Sequence, residues 1–163
     1  MPHYINQGLP GASAALTAGV YAFSQVPAGL IWAWLSRRSP VRVLLAFAAF
    51  VVGIGSIATA ASSTLDSALV ASIILGLGVG GLHLLVRLAW ADYYGRQNLG
   101  SIRGLALSFQ VAGQGMGPLV AGFMFDATGS YQLPLMVFTV AAFSAGFMVL
   151  AATSPKKPLT VAA

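Results

Sequence analysis

Residues 68–90 read ALVASIILGLGVGGLHLLVRLAW, and this stretch decides the fold. As a helix rising about 1.5 Å per residue, it is long enough to cross the roughly 30 Å of hydrocarbon in a bilayer. Its single charged residue, Arg87, stands near one end. Working outward, four further apolar runs of similar length appear at 11–35, 41–61, 104–125 and 134–152. The breaks at 36–40, 61–67, 91–103 and 126–133 are short and carry Ser, Pro, Gly, Asp or Arg, residues that stop helices. The sequence therefore reads as an all-α integral membrane protein whose single domain threads the bilayer with five transmembrane helices.

Composition agrees. Of 163 residues, 58% are hydrophobic and 7% charged, whereas a soluble domain carries about a quarter charged residues. Such a chain cannot cover itself with a wettable surface, so much of it must face lipid. Its basic residues fall in short separated groups rather than on one face, which argues against nucleic acid despite the net charge of +5. With no cysteine there is no disulfide, thiolate metal site or thiol nucleophile.

The cations also set an orientation. Arg37, Arg38 and Arg42 adjoin the first connection, Arg87, Arg96 and Arg103 the third, and Lys156 and Lys157 the tail 153–163. In a serpentine of five spans all eight lie on one side, and the positive-inside rule makes that side cytoplasmic. The expected topology has the N-terminus outside and the C-terminus in the cytoplasm. Residues 1–10 lack the basic and apolar regions of a cleaved signal. An external N-terminus without a signal leads us to expect a missing preceding helix, although a short native tail would read the same way.

Polar positions within the runs separate the helices further, because such groups turn toward protein or a water-filled cavity. Ser13, Thr17, Tyr21 and Gln25 recur every fourth residue along the first helix, with Ser24 adjoining. The third helix aligns Ser72, Gly76, Gly80, His83 and Arg87, and the fourth aligns Arg103, Gln110, Gln114 and Gly117. The second and fifth are apolar nearly all round and read as peripheral and lipid-facing. Each polar stripe has two readings, a cavity wall or hydrogen bonding to a neighbouring helix. Arg87 would bind an anionic group, snorkel to headgroups or pair with Asp92. His83 would carry a proton or sit hydrogen-bonded in the core. Gly76, Gly80, Gly113 and Gly117 read first as helix-packing positions, and Pro27 and Pro118 as bends. The glycines at 76–81 superficially match a phosphate-binding loop, but they lie inside an apolar span and follow no strand.

Three segments carry a family resemblance: GLGVGG at 76–81, ADYYGRQNLGSIRG at 91–104, and GQGMGPLVAGFMFDATGSY at 113–131. They resemble the tenth and eleventh helices of the major facilitator superfamily, especially its bacterial monocarboxylate-porter-like branch. The resemblance implies that the five runs are helices eight to twelve of a twelve-helix secondary transporter, a partial C-terminal six-helix bundle in the bacterial cytoplasmic (inner) membrane. It also implies a solute site near the midplane between two halves that rock to alternate access. One connection departs from the family. At 33–42 (AWLSRRSPVR) Arg37 replaces the acidic member of the usual pattern, and Gly29 stands where related monocarboxylate carriers have an arginine.

The resulting expectation is transport of a small organic solute, with organic anions among the candidates, through a cavity faced by Tyr21, Gln25, His83, Arg87, Gln110 and Gln114. The partners implied are that solute, the lipid bilayer, and a missing N-terminal half or partner helices. No cofactor or metal is implied. No paired carboxylates or nucleophile with its base appear within the spans, so an enzyme is not expected. The alternative is a standalone five-helix protein acting as an assembly or interaction subunit.

Overall fold

The computed structural model describes residues 2–94 and 99–152, and places them in six helices with no strand among them. In chain order these are α1 (Pro2–Asn6), α2 (Gly11–Leu35), α3 (Val41–Ala61), α4 (Leu65–Tyr94), α5 (Leu99–Thr128) and α6 (Gln132–Ala151). The five long helices fall on the five expected runs, with α4 and α5 extending a turn or so beyond them. The expected tail, 153–163, and Arg96 lie outside the described residues.

Local chemistry explains the boundaries. Pro10 and Pro40 precede α2 and α3 in extended conformation, with φ near −55° and −57°. At the start of α4 the Thr64 and Ser67 side chains each accept from the other's backbone N–H, at 3.4 and 3.1 Å, a reciprocal cap for otherwise orphaned donors. Asp66 in the same first turn adds a favourable charge at the helix N-terminus. α5 ends in a left-handed Gly129, φ 66°, whose N–H reaches the Phe125 carbonyl at 2.7 Å. Tyr131 then stacks on Phe125 with ring centroids 4.3 Å apart. Gly129 and Tyr131, within the motif that begins at Asp126, thus build the α5–α6 turn.

Among the described residues, α2, α3, 65–92 of α4, and α6 are long and apolar enough to cross a membrane. The fifth expected span is helical throughout, but α5 falls short of that apolarity because glycines, Arg103, Gln110 and Gln114 dilute it.

Packing centres on α4, which lies against α2 on one side and α3 on the other, while α6 packs on the far side of α3. α5 makes sparse contact with α4 and α6. Glycine sets the close approaches. A Cβ at Gly76 would fall 2.6 Å from the Tyr21 carbonyl of α2, and one at Gly80 would fall 2.9 Å from the Gln25 carbonyl and 2.8 Å from the Ala28 Cβ. On the α3 side, a Cβ at Gly55 would meet the Leu75 Cα at 2.7 Å, and one at Gly78 the Val52 nitrogen at 2.8 Å. Gly81 leaves room for the Trp32 ring, whose Nε1–H donates to the Leu77 carbonyl at 3.0 Å. This bond satisfies a buried indole donor and ties α2 to α4.

The reading of 41–61 as lipid-facing needs correcting. α3 buries Leu44, Ala46, Ala48, Ala49, Gly53, Gly55, Ser56 and Thr59, and turns Val43, Phe47, Ile54 and Ile57 outward. Its two faces differ in size rather than polarity, as expected where backbone proximity drives association in lipid. α6 does read as peripheral, burying Pro134 and Gly146, the latter against Phe50. Arg42, at the start of α3, donates to the Leu150 carbonyl in the last turn of α6.

The short α1 closes over the non-basic end of the bundle. Tyr4 is buried with Ala14 and Ala68, and His3 is buried with Nε2 3.1 Å from the Thr59 carbonyl. Because that carbonyl only accepts, Nε2 carries the proton. Burial holds the His3 pKa below its ordinary value of 6.5 despite this bond. A depressed folded-state pKa means the unfolded chain takes up the proton first, so this contribution is full above pH 6.5 and lost as pH falls below it.

Two predictions follow from the packing and from α1. Gly55→Ala should destabilise the bundle by about 1–3 kcal/mol, since backbone on the facing helix cannot yield. Gly113→Ala, with nothing within 4 Å of the added methyl, should be neutral or stabilising by about 0.5–1 kcal/mol. Thermal unfolding in detergent reads both, and equal losses would refute the difference in packing. Protection of amides 3–9 against hydrogen exchange, taken relative to the intrinsic rate at each pH, should fall as pH drops from 7 to 5, with His3→Gln flattening that dependence.

Candidate functional site

The sparse contact between α4 and α5 leaves an open cavity of about 710 Å³, within the range of small-molecule sites. From α4 it is lined by Val79, Leu82, His83, Val86, Arg87 and Trp90, and from α5 by Arg103, Leu107, Gln110 and Gln114. His83, Arg87 and Trp90 follow one another at i, i+4 and i+7, and Arg103, Gln110 and Gln114 at i, i+7 and i+11. Both spacings keep their members on one helical face.

The two helices run antiparallel into a hairpin, so depth follows from the helical rise. Counted from the hairpin ends at Tyr94 and Leu99, Arg103 lies about 6 Å deep, Arg87 about 10 Å, and His83 and Gln110 both about 16 Å. Gln114 reaches about 22 Å, level with Val79. The cavity therefore has a doubly cationic mouth at the basic end of the bundle and an interior where amides and imidazole alternate with aliphatic wall.

Arg87 and Arg103 are exposed, and among the described residues neither forms an ion pair. The pairing of Arg87 with Asp92 does not occur there, and Asp92, also exposed, is not part of the lining. Asp66 and Asp126 lie near the opposite ends of α4 and α5.

Four of the six expected cavity residues, His83, Arg87, Gln110 and Gln114, are brought together. Tyr21 and Gln25 are not: they are half-buried on α2, and their backbone carbonyls abut Gly76 and Gly80. The α2 stripe instead supplies buried contact with α4. Thr17 and Ser24 turn their hydroxyls back to the Ala14 and Tyr21 carbonyls at 2.8 and 2.9 Å, which lets both side chains enter an apolar interface. Gly76 and Gly80 lie close against α2, whereas a Cβ at Gly113, Gly115 or Gly117 would meet nothing within 4 Å. Pro118, inside α5, is exposed. Arg103 and Trp90 were not among the candidates. The register of Arg103 with Gln110 and Gln114 was a usable signal, while nothing in the sequence distinguished Trp90 from an interfacial anchor.

The profile of the Major Facilitator Superfamily matches residues 1–163. The chain belongs to this superfamily. Two relatives, the monocarboxylate transporters 11 of Homo sapiens and Mus musculus, are each 27% identical to it over 158 residues. The alignments cover 91% of this chain but 34% and 35% of those proteins, so the chain spans about a third of the length of the relatives it matches. As a superfamily member with apolar helices, it is an integral membrane protein.

The absence of native cysteine makes the cavity directly testable. Gln110→Cys and Gln114→Cys should react with a membrane-impermeant maleimide, while Ala46→Cys and Ala48→Cys, at 1% and 0% exposure, should stay protected. Similar labelling at all four positions would refute a water-filled cavity between α4 and α5.

Proposed function

We propose that this chain forms part of a secondary transporter that moves a small organic anion by alternating access, with the α4–α5 cavity as its solute path. The observation that carries this reading is two arginines, without an ion pair among the described residues, at the mouth of a cavity of about 710 Å³ whose interior presents His83, Gln110 and Gln114. Guanidinium groups attract and orient carboxylate or phosphate by paired hydrogen bonds, and the amides deeper inside supply neutral donors and acceptors. The relatives named for monocarboxylate transport support a carboxylate-bearing solute. The spans correspond in this reading to helices eight to twelve of the superfamily fold.

Alternating access needs a second wall that moves against the first. The face of α5 bearing Gly113 and Gly117, with Phe109, Met116 and Phe123 exposed beside it, supports contact with further helices that complete the cavity. We place the hairpin between α4 and α5 on the cytoplasmic side with the C-terminus, and α1 outside, because the arginines of the described residues cluster toward that end. A bacterial cytoplasmic membrane rests on the sequence resemblance alone, since the named relatives are human and mouse.

Uptake of radiolabelled organic anions into cells expressing the protein tests the assignment. Arg87→Gln should lower uptake at least about tenfold, the loss expected for one charge-assisted hydrogen bond, and Gln114→Ala should lower it less. Unchanged uptake in both would remove the cavity from the solute path. Reporter fusions at 63 and 130 should report the outside and a fusion at 163 the cytoplasm. One compartment for all three would overturn the orientation.

A further inference from the structure

The charge at the cavity mouth is more specific than attraction to anions in general. Arg87 and Arg103 face the same cavity from opposite helices at similar depths, and no carboxylate among the described residues lines it. The wall around and beyond them is largely aliphatic, with Val79, Leu82, Val86 and Leu107. Both guanidinium groups are exposed, but a solute seated between them displaces the water there, and each charge withdrawn from water then needs a counter-charge. A solute bearing one negative charge neutralises one arginine and leaves the other facing it. A solute bearing two at one end satisfies both, while its apolar remainder lies along the aliphatic wall.

We propose that the α4–α5 cavity selects an organic dianion whose two negative charges lie together at one end of an apolar body. This rests on the transport reading above and narrows it, because the named relatives are monocarboxylate transporters. Charges at opposite ends of a solute do not fit, since the cations share one end of the cavity and the other end holds Val79 and the neutral Gln114. His83 and Gln110, level with each other below the arginines, meet the neck between the charged head and the tail. Anionic lipid headgroups present similar chemistry at the same membrane depth, so the test separates the two sources.

The test is calorimetric titration of the 163-residue chain in phosphatidylcholine nanodiscs with butylmalonate, adipate and hexanoate. Butylmalonate carries both charges at one end, adipate one at each end, and hexanoate a single charge. Butylmalonate should bind at least about tenfold tighter than either of the others, the ratio expected of one added charge-assisted hydrogen bond. Arg87→Gln and Arg103→Gln, both at exposed positions, should each bring butylmalonate down to the hexanoate level with an unchanged melting temperature. Adding phosphatidylglycerol to the nanodiscs should leave butylmalonate affinity within about twofold.

Hexanoate binding as tightly as butylmalonate would overturn the dianion preference, and adipate doing so would overturn the one-ended geometry. Loss of butylmalonate binding when phosphatidylglycerol is present would assign the arginines to headgroups and overturn the proposal. Absence of binding by all three probes would also overturn it. Arg87-dependent uptake of monoanions without any dianion preference would sink this inference alone, leaving the transport reading intact.

Discussion

The arrangement depends on how closely α4 can approach α2 and α3. In lipid the surroundings of a helix are as apolar as its side chains, so burying leucine against leucine gains little, and association rests on backbone proximity and close van der Waals contact. Gly76, Gly80 and Gly81 admit α2, and Gly78 together with Gly55 admits α3. The Trp32 indole then bonds the Leu77 carbonyl across the first of these seams, a contact that a methyl at Gly81 would obstruct. A helix held on two sides in this way is fixed in rotation about its axis, and that rotation determines where His83 and Arg87 face.

The other side of α4 is treated differently. α5 meets it sparsely, and the glycines of α5 meet nothing within 4 Å, so the same residue type that closes one seam leaves another open. The gap is where polar side chains collect. The cost of holding Arg87, Arg103, Gln110 and Gln114 at membrane depth is reduced when they line an aqueous opening rather than contact hydrocarbon. Close packing of α2, α3, α4 and α6, beside an α5 that meets them sparsely, gives the space one close-packed wall and one with few contacts.

Hydroxyl residues show how little polarity alone says about function here. Thr17 and Ser24 share the α2 stripe with Tyr21 and Gln25, yet both are buried and bonded to carbonyls of their own helix. Thr59 does the same on α3 with the Gly55 carbonyl at 2.8 Å, while its own carbonyl receives His3. Each is a polar group made compatible with an apolar interface by a local bond. The side chains left facing the cavity are those whose donors and acceptors are too many, or too far from the backbone, to be satisfied that way.

The sequence by itself determined the number, length and order of the long helices, because crossing a bilayer demands unbroken apolar runs and the breaks carry proline, glycine and capping residues. It also determined that Gln110, Gln114 and Arg103 share one face of α5, and His83 and Arg87 one face of α4, since that follows from helical period alone. Which faces meet was decided only by tertiary structure. Hydropathy could not tell that α3 is inside and α6 outside, because both are apolar and differ in the placement of small residues such as Ala48 and Gly55 rather than in polarity. Nor could it tell that Gly76 and Gly80 close a seam while Gly113 and Gly117 leave one open. A glycine states only that a close approach is permitted, and whether a neighbouring backbone takes it up depends on helices far away in the chain.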